Sequence, residues 1–195
     1  MTDIQIIPPF TIIIIKSVDN PDISLTVGLR VTYRTNGSEI PYEPEKWNYA
    51  PVMAGTNCYS YALNNQCWPV GSNTLRRLIP GTLRDINPAL SVPSEDLDYN
   101  GAGIISRVQQ DAGTDNSLFY FAPIAKDIQC PAGTYKVALV IAPGQDFHWY
   151  RQNPDGTWSH KLGSNPVTNT DAFGNVIYDP CIAEMDYSSK EGYKY

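Results

Sequence analysis

Asp146-Phe147-His148-Trp149-Tyr150-Arg151-Gln152-Asn153-Pro154-Asp155-Gly156-Thr157-Trp158-Ser159-His160-Lys161-Leu162 holds both histidines of the chain and its strongest turn. Asn153-Pro154-Asp155-Gly156 is turn chemistry, with Pro and Asp setting the bend and Gly free to adopt a positive φ. The flanks are rich in aromatic residues, which predicts strands over 146–152 and 157–162. A type I turn with Gly156 in the left-handed region makes a three-residue loop. Asn153 then faces Thr157, Tyr150 faces His160, and His148 faces Leu162. Opposed residues share a sheet face, and so do residues two apart on one strand. His148 and His160 are therefore expected side by side on one face. A two-residue loop would separate them.

The same pattern extends upstream. Residues 134–142 read as a buried strand, and Ile104, Ile105 and Val108 mark one apolar face of a helix ended by Gly113. Thr56 or Asn57 can cap a short helix running from Cys58 to about Asn65. Phe173-Gly174-Asn175 is a second hairpin signal. With 14 glycines and 16 prolines punctuating the chain, these elements predict an α+β fold. Further upstream, Asp19-Asn20-Pro21-Asp22 divides an Ile-, Val- and Thr-rich stretch into strand candidates 11–18 and 24–33. Residues 35–44 turn polar and read as a linker. The organisation expected is an N-terminal β-rich arm with linker over 1–45 and a domain over 46–195. The apolar run 10–15 is the kind that pairs with a strand edge, either within this chain or on a protein partner.

Composition removes several function classes. Of 195 residues, 42% are hydrophobic and only 17% charged, with 20 acidic against 14 basic groups and a net charge of −6. The basic residues are scattered, the one adjacent pair being Arg76-Arg77. Phosphate neutralisation is thus no source of affinity, so neither nucleic acid nor an anionic membrane surface is an expected partner. The run 10–15 is far shorter than the roughly 20 residues of a membrane-spanning helix. Met1-Thr2-Asp3 lacks a basic start and Pro8-Pro9 interrupts the apolar stretch, so no signal peptide is expected. An extracellular or particle-associated site would then be reached by lysis, by a specialised machine or within a larger particle. Cys67, Cys130 and Cys181 are expected as reduced thiols rather than a disulfide framework.

Cys58 opens the chemistry. A cysteine in the first turn of a helix meets unpaired N–H groups that favour the thiolate, and a nearby imidazole favours it further. Cys58 as nucleophile, His148 as general base then acid, and His160 as the group orienting His148 are the parts of thiol catalysis. The Cys58 N–H is a natural oxyanion donor; Asn57, Asn48 and Tyr49 lie near it in sequence. Asp146, two residues before His148, is the rival orienter, and Asn165 and Asp171 are outside candidates. Cysteine and histidine are also zinc ligands, but no Cys-x-x-Cys or His-Glu-x-x-His spacing is present. Neither metal nor cofactor is expected.

Asn57-Cys58-Tyr59-Ser60-Tyr61-Ala62-Leu63, followed by strands carrying His148 and, twelve residues on, His160, resembles the NlpC family of cell-wall cysteine endopeptidases in the papain-like superfamily. The resemblance covers roughly 47–167. It implies a papain-like fold, with a short nucleophile helix packed on an antiparallel sheet and an insertion between Pro69 and Gln129. It also implies a thiol-dependent hydrolase that cleaves an amide bond through a Cys58 thioester. The substrate it implies is a peptide, by default a peptidoglycan stem peptide. A toxin-like protein deamidase or transglutaminase uses the same parts. From a different class, the chain can be a structural or binding component of a larger particle, such as a virion or secretion assembly, using the fold without catalysis.

Overall fold

Gly156, at φ +82°, closes the loop that organises the sheet. The computed structural model describes residues 10–14, 34–66, 77–83, 101–113, 121–142, 144–187 and 193–194. Within it the Asn153 N–H donates to the Thr157 carbonyl at 2.8 Å and the Gly156 N–H to the Asn153 carbonyl at 3.0 Å. The Asp155 carboxylate accepts from the Thr157 N–H at 3.0 Å, which holds the loop from within. Strands Asp146–Gln152 and Trp158–Lys161 leave this loop in the register Tyr150 opposite His160 and Gln152 opposite Trp158.

In chain order the elements are β1 (Phe10–Ile14), α1 (Pro44–Trp47), α2 (Ala50–Gly55), α3 (Cys58–Ala62), α4 (Gly101–Ala112), β2 (Tyr135–Ala142), β3 (Asp146–Gln152), β4 (Trp158–Lys161), β5 (Val167–Thr168), β6 (Asp186–Tyr187) and β7 (Tyr193–Lys194). The main sheet runs β1-β2-β3-β4-β5. Strands β2 to β5 are antiparallel, and β1 lies parallel to β2 with Phe10 opposite Tyr135. The fold is therefore α+β. The helix ended by Gly113 and the strands read over 134–142, 146–152 and 157–162 are present to within a residue or two. The strand candidate 24–33 and residues 15–18 lie outside the described residues.

Both faces of the sheet are covered, which is why β2 is buried along its whole length and is apolar from Val137 to Ala142. Val137, Leu139, Ile141, Phe147 and Trp149 pack on one face against Tyr59, Ala62 and Leu63 and against Ile104 and Val108 of α4. Ala138, Val140, Tyr150, Trp158 and Leu162 pack on the other against Ala172, Ile177, Met185 and Tyr187. Trp149, Tyr150 and Trp158, placed around the histidines by the sequence, are thus core residues of these two layers. The polar stretch 35–44 differs from the linker expected of it. Asn36 Nδ2 donates to the carbonyls of Cys130 at 3.1 Å, Pro131 at 2.7 Å and Thr134 at 2.9 Å. A single amide group staples that stretch to the start of β2. Its polarity serves long-range backbone bonding rather than solvation.

Asp111, at the end of α4, ties three segments together. Its carboxylate accepts from Tyr59 Oη at 2.8 Å and from the Gly81 and Leu83 N–H groups, both at 2.7 Å. Asp111 is 1% exposed and Tyr59 fully buried, so that phenol has no water to fall back on. Asp111→Ala leaves two backbone N–H groups and a phenol to find other acceptors. It should lower the unfolding free energy by about 3 kcal/mol in urea denaturation. A loss below about 1 kcal/mol would show that the 79–83 turn is not held by this carboxylate.

Candidate functional site

Helix α3 has only five residues, too few to be stable by itself, and its ends are satisfied from outside. Asn57 caps it, its Oδ1 accepting from the Ser60 N–H at 3.0 Å, while its Nδ2 donates to the Leu78 carbonyl at 2.7 Å. One N–H of that amide is engaged with backbone, and Asn48 uses its Oδ1 to accept from the Val167 N–H at 2.7 Å. At the other end, Arg151 Nη1 donates to the Tyr61 carbonyl and Tyr135 Oη to the Ala62 carbonyl, both at 3.0 Å. Ser159 Oγ donates to Asn153 Oδ1 at 2.7 Å, so the 2.7 Å contact between Tyr61 Oη and Ser159 Oγ has tyrosine as donor. The Arg151 guanidinium also lies 4.0 Å from the Tyr61 ring centroid. The hairpin thus holds the helix that carries the thiol.

The two histidines meet as the register requires. His148 Nε2 lies 2.9 Å from His160 Nδ1, and the rings stand edge to face with centroids 5.0 Å apart. His160 Nε2 lies 3.0 Å from the Thr170 carbonyl, which can only accept. The proton of His160 is therefore on Nε2, its Nδ1 is an acceptor, and His148 donates from Nε2. This order of donors puts the basic lone pair of the dyad on His148 Nδ1. Tyr187 Oη approaches His160 Nε2 at 3.4 Å from β6, and Tyr187 also shares a hydrogen bond with Tyr150. Both rings are fully buried. Burial holds His148 well below the usual imidazole range, with His160 adding to the effect. It pushes His160 down to about 4, against the opposing pull of the Thr170 carbonyl and Asp171.

Cys58 is 8% exposed and belongs to the apolar layer containing Trp149, on the side of the sheet that faces α3. The backbone N–H of Trp149, the residue after His148, donates toward its sulfur, as does that of Tyr59. The structure thus brings the two imidazoles to each other on one face of the sheet and the sulfur to the opposite face, where it meets the Trp149 backbone rather than either ring. Burial, with Asp146 adding to it and the two N–H groups and Lys161 opposing, pushes the Cys58 thiol up to about 12. This direction is the reverse of that expected for a cysteine at a helix start. Five residues supply little dipole, and desolvation outweighs it.

The other candidates are elsewhere. Asp146 Oδ1 accepts from the Phe147 N–H at 2.7 Å, and its charge acts on the sulfur. Asp171 closes the 171–175 turn by accepting from the Phe173 and Asn175 N–H groups, and Asn165 lies in the turn after β4. Lys161, Arg151 and the Thr170 carbonyl were not singled out from the sequence. Lys161 and Arg151 were within reach of the alternation argument, since their parity turns them to the α3 side. Cys58, Cys130 and Cys181 are free thiols, and Cys67 is outside the described residues. Among the described residues no His, Cys, Asp and Glu group gathers in a metal-holding arrangement, and no helix is long and apolar enough to cross a membrane.

The buried neutral dyad makes stability depend on pH. His160 titrates at about 4 in the folded chain against an ordinary value of 6.5. Between these values the unfolded chain binds the proton and the folded chain does not, so stability falls as pH falls through the window. His160 alone contributes roughly 3 kcal/mol of loss between pH 7 and 4, with His148 acting in the same direction. Urea midpoints measured at pH 7, 5.5 and 4.5 should decline steadily, and a His148→Gln/His160→Gln double variant should flatten the trend. A flat profile in the wild type would refute the neutral buried pair.

No family model matches this chain, and no solved structure matches it. Among curated proteins it is similar to insoluble matrix shell protein 1 of Ruditapes philippinarum. The two are 33% identical over 146 residues, a span that takes in 73% of this chain and 80% of the relative. With that identity over so much of both lengths, the chain belongs to the family of insoluble matrix shell protein 1.

Proposed function

We propose that this chain is a thiol-dependent acyl-transfer enzyme acting on amide bonds, with Cys58 as nucleophile, His148 as general base then acid, and His160 as the residue that orients it. The observation that carries this reading is the ordered relay from His148 Nε2 to His160 Nδ1 and from His160 Nε2 to the Thr170 carbonyl. It leaves the basic nitrogen on His148, whose ring lies on the sheet face opposite the one on which Cys58 packs. A papain-like, NlpC-type arrangement of a short nucleophile helix against a sheet accommodates these parts.

The direction of the pKa shifts sets the mechanism. A thiol held near 12 and an imidazole held low rest as a neutral pair, not as thiolate and imidazolium. His148 shares the sheet face of Val140 and Tyr150, while Cys58 packs on the other. General-base transfer of the thiol proton to His148 as sulfur attacks the amide carbonyl therefore requires β3 to shift on substrate binding. The amine leaves with the proton returned from His148, and water hydrolyses the thioester by the same route. A peptidoglycan stem peptide is the first substrate to try, and a glutamine side chain of a protein is the alternative.

The relative's name favours a second reading, in which the chain is a structural component of an insoluble matrix. The two readings are compatible, since a catalytic domain can ride on an assembly. They separate by experiment. A peptidyl electrophile should label Cys58 in the wild type, and purified peptidoglycan or a glutamine-bearing protein should be turned over. Cys58→Ala should abolish turnover and His148→Ala should reduce it by about 100-fold or more. Partition of the chain into an insoluble assembly, unchanged by Cys58→Ala and without probe labelling, would replace the enzyme by the matrix component.

A further inference from the structure

Lys161 is the residue after His160, so strand alternation turns it to the opposite face, toward α2 and α3. Its Nζ donates to the carbonyls of Met53 at 2.8 Å, Thr56 at 3.0 Å and Gly163 at 2.7 Å. An ammonium has three N–H groups, and all three end on backbone oxygen rather than on a carboxylate. Met53 and Thr56 bracket the turn that delivers the chain into α3, and Thr56 is two residues before Cys58. Lys161 is completely buried, and its charge and the Cys58 sulfur act on one another.

We propose that Lys161 is a positioning residue of the thiol site: its clamped ammonium fixes the 53–57 turn that presents Cys58, and it keeps a positive charge beside the sulfur that favours the thiolate. The catalytic use of this device rests on the acyl-transfer reading above; its effect on the thiol does not. The charged and titratable groups around the pair are Asp146 on β3, Arg77 and, on α3, Tyr59, while the two histidines face the other side of the sheet. Burial, with Arg77 adding to it and Cys58 opposing, lowers Lys161 to about 8. Between pH 7 and 9 the histidines, lowered by burial, stay neutral, and Tyr59, raised by burial and by Asp111, stays a phenol. Lys161 is the group in this set that changes charge over that range.

The test is the rate of Cys58 alkylation by iodoacetamide in the full-length chain, followed by peptide mass spectrometry from pH 7 to 9. Lys161→Gln keeps two donors for the carbonyls but no charge, Lys161→Met keeps neither, and Lys161→Arg keeps the charge. At pH 7.5 the two neutral variants, folded by circular dichroism, should label Cys58 about five-fold or more slowly than the wild type, with Lys161→Arg within about three-fold. A merely structural role predicts the opposite sign, because loosened packing exposes the sulfur and speeds labelling. Equal or faster labelling in folded Lys161→Gln overturns the proposal. If neither neutral variant folds, the wild type decides: the logarithm of its rate should rise with a slope below one through pH 8, as Lys161 loses its proton, and a slope of one throughout overturns the proposal. A wild type inert to the peptidyl electrophile, yet with an alkylation rate that depends on Lys161, would sink the enzyme reading and leave this proposal standing.

Discussion

The register of one hairpin governs the candidate site. Three residues, Pro154 to Gly156, close the loop, and Gly156 accepts the positive φ that a three-residue connection demands. Tyr150 is thereby set opposite His160. Because side chains alternate along a strand, a slip by one residue would send every one of them to the other face. His148 and His160 would part, and Arg151, Ser159 and Lys161 would turn away from the helix they support. The dyad and the mounting of Cys58 are two faces of a single geometric choice.

Covering both sides of that sheet decides the electrostatics. An exposed histidine pair would titrate close to the ordinary imidazole range, and an exposed cysteine at a helix start would ionise more easily than a free one. Packed beneath Tyr187 and Ala172 on one side and against Tyr59 and Trp149 on the other, these groups lose the water that stabilises charge. The resting site is neutral at sulfur and at both rings. Charge in this region is carried by Lys161, whose three N–H groups meet carbonyl oxygens, and by Arg151, whose two Nη groups meet carbonyl oxygens, an amide oxygen and an aromatic face. Cations held in this manner anchor backbone, and here the backbone anchored is that of α3 and its approach.

Helix α3 illustrates why such support is needed. Its five residues close too few internal hydrogen bonds to offset the cost of nucleation. Asn57 at its start and Arg151 and Tyr135 at its end take over the groups that a longer helix would satisfy itself.

Much of the site was legible in the chain because it is local. Asn153-Pro154-Asp155-Gly156 specifies its own turn, the turn specifies the pairing, and the pairing places two imidazoles together; Asn57 before Cys58 likewise marks a helix start by a contact three residues long. What depended on segments distant in sequence was not legible. Lys161 finds Met53 and Thr56 more than a hundred residues away, Asn36 finds the start of β2, and β1 takes the parallel edge of the sheet. The thiol was expected to be acidified by its helix, yet burial between packed layers raises it, since desolvation is set by everything that surrounds a group and not by its neighbours along the chain. Local turn and capping chemistry was therefore settled by sequence, while burial, and with it the protonation of Cys58, His148 and His160, was decided by tertiary packing alone.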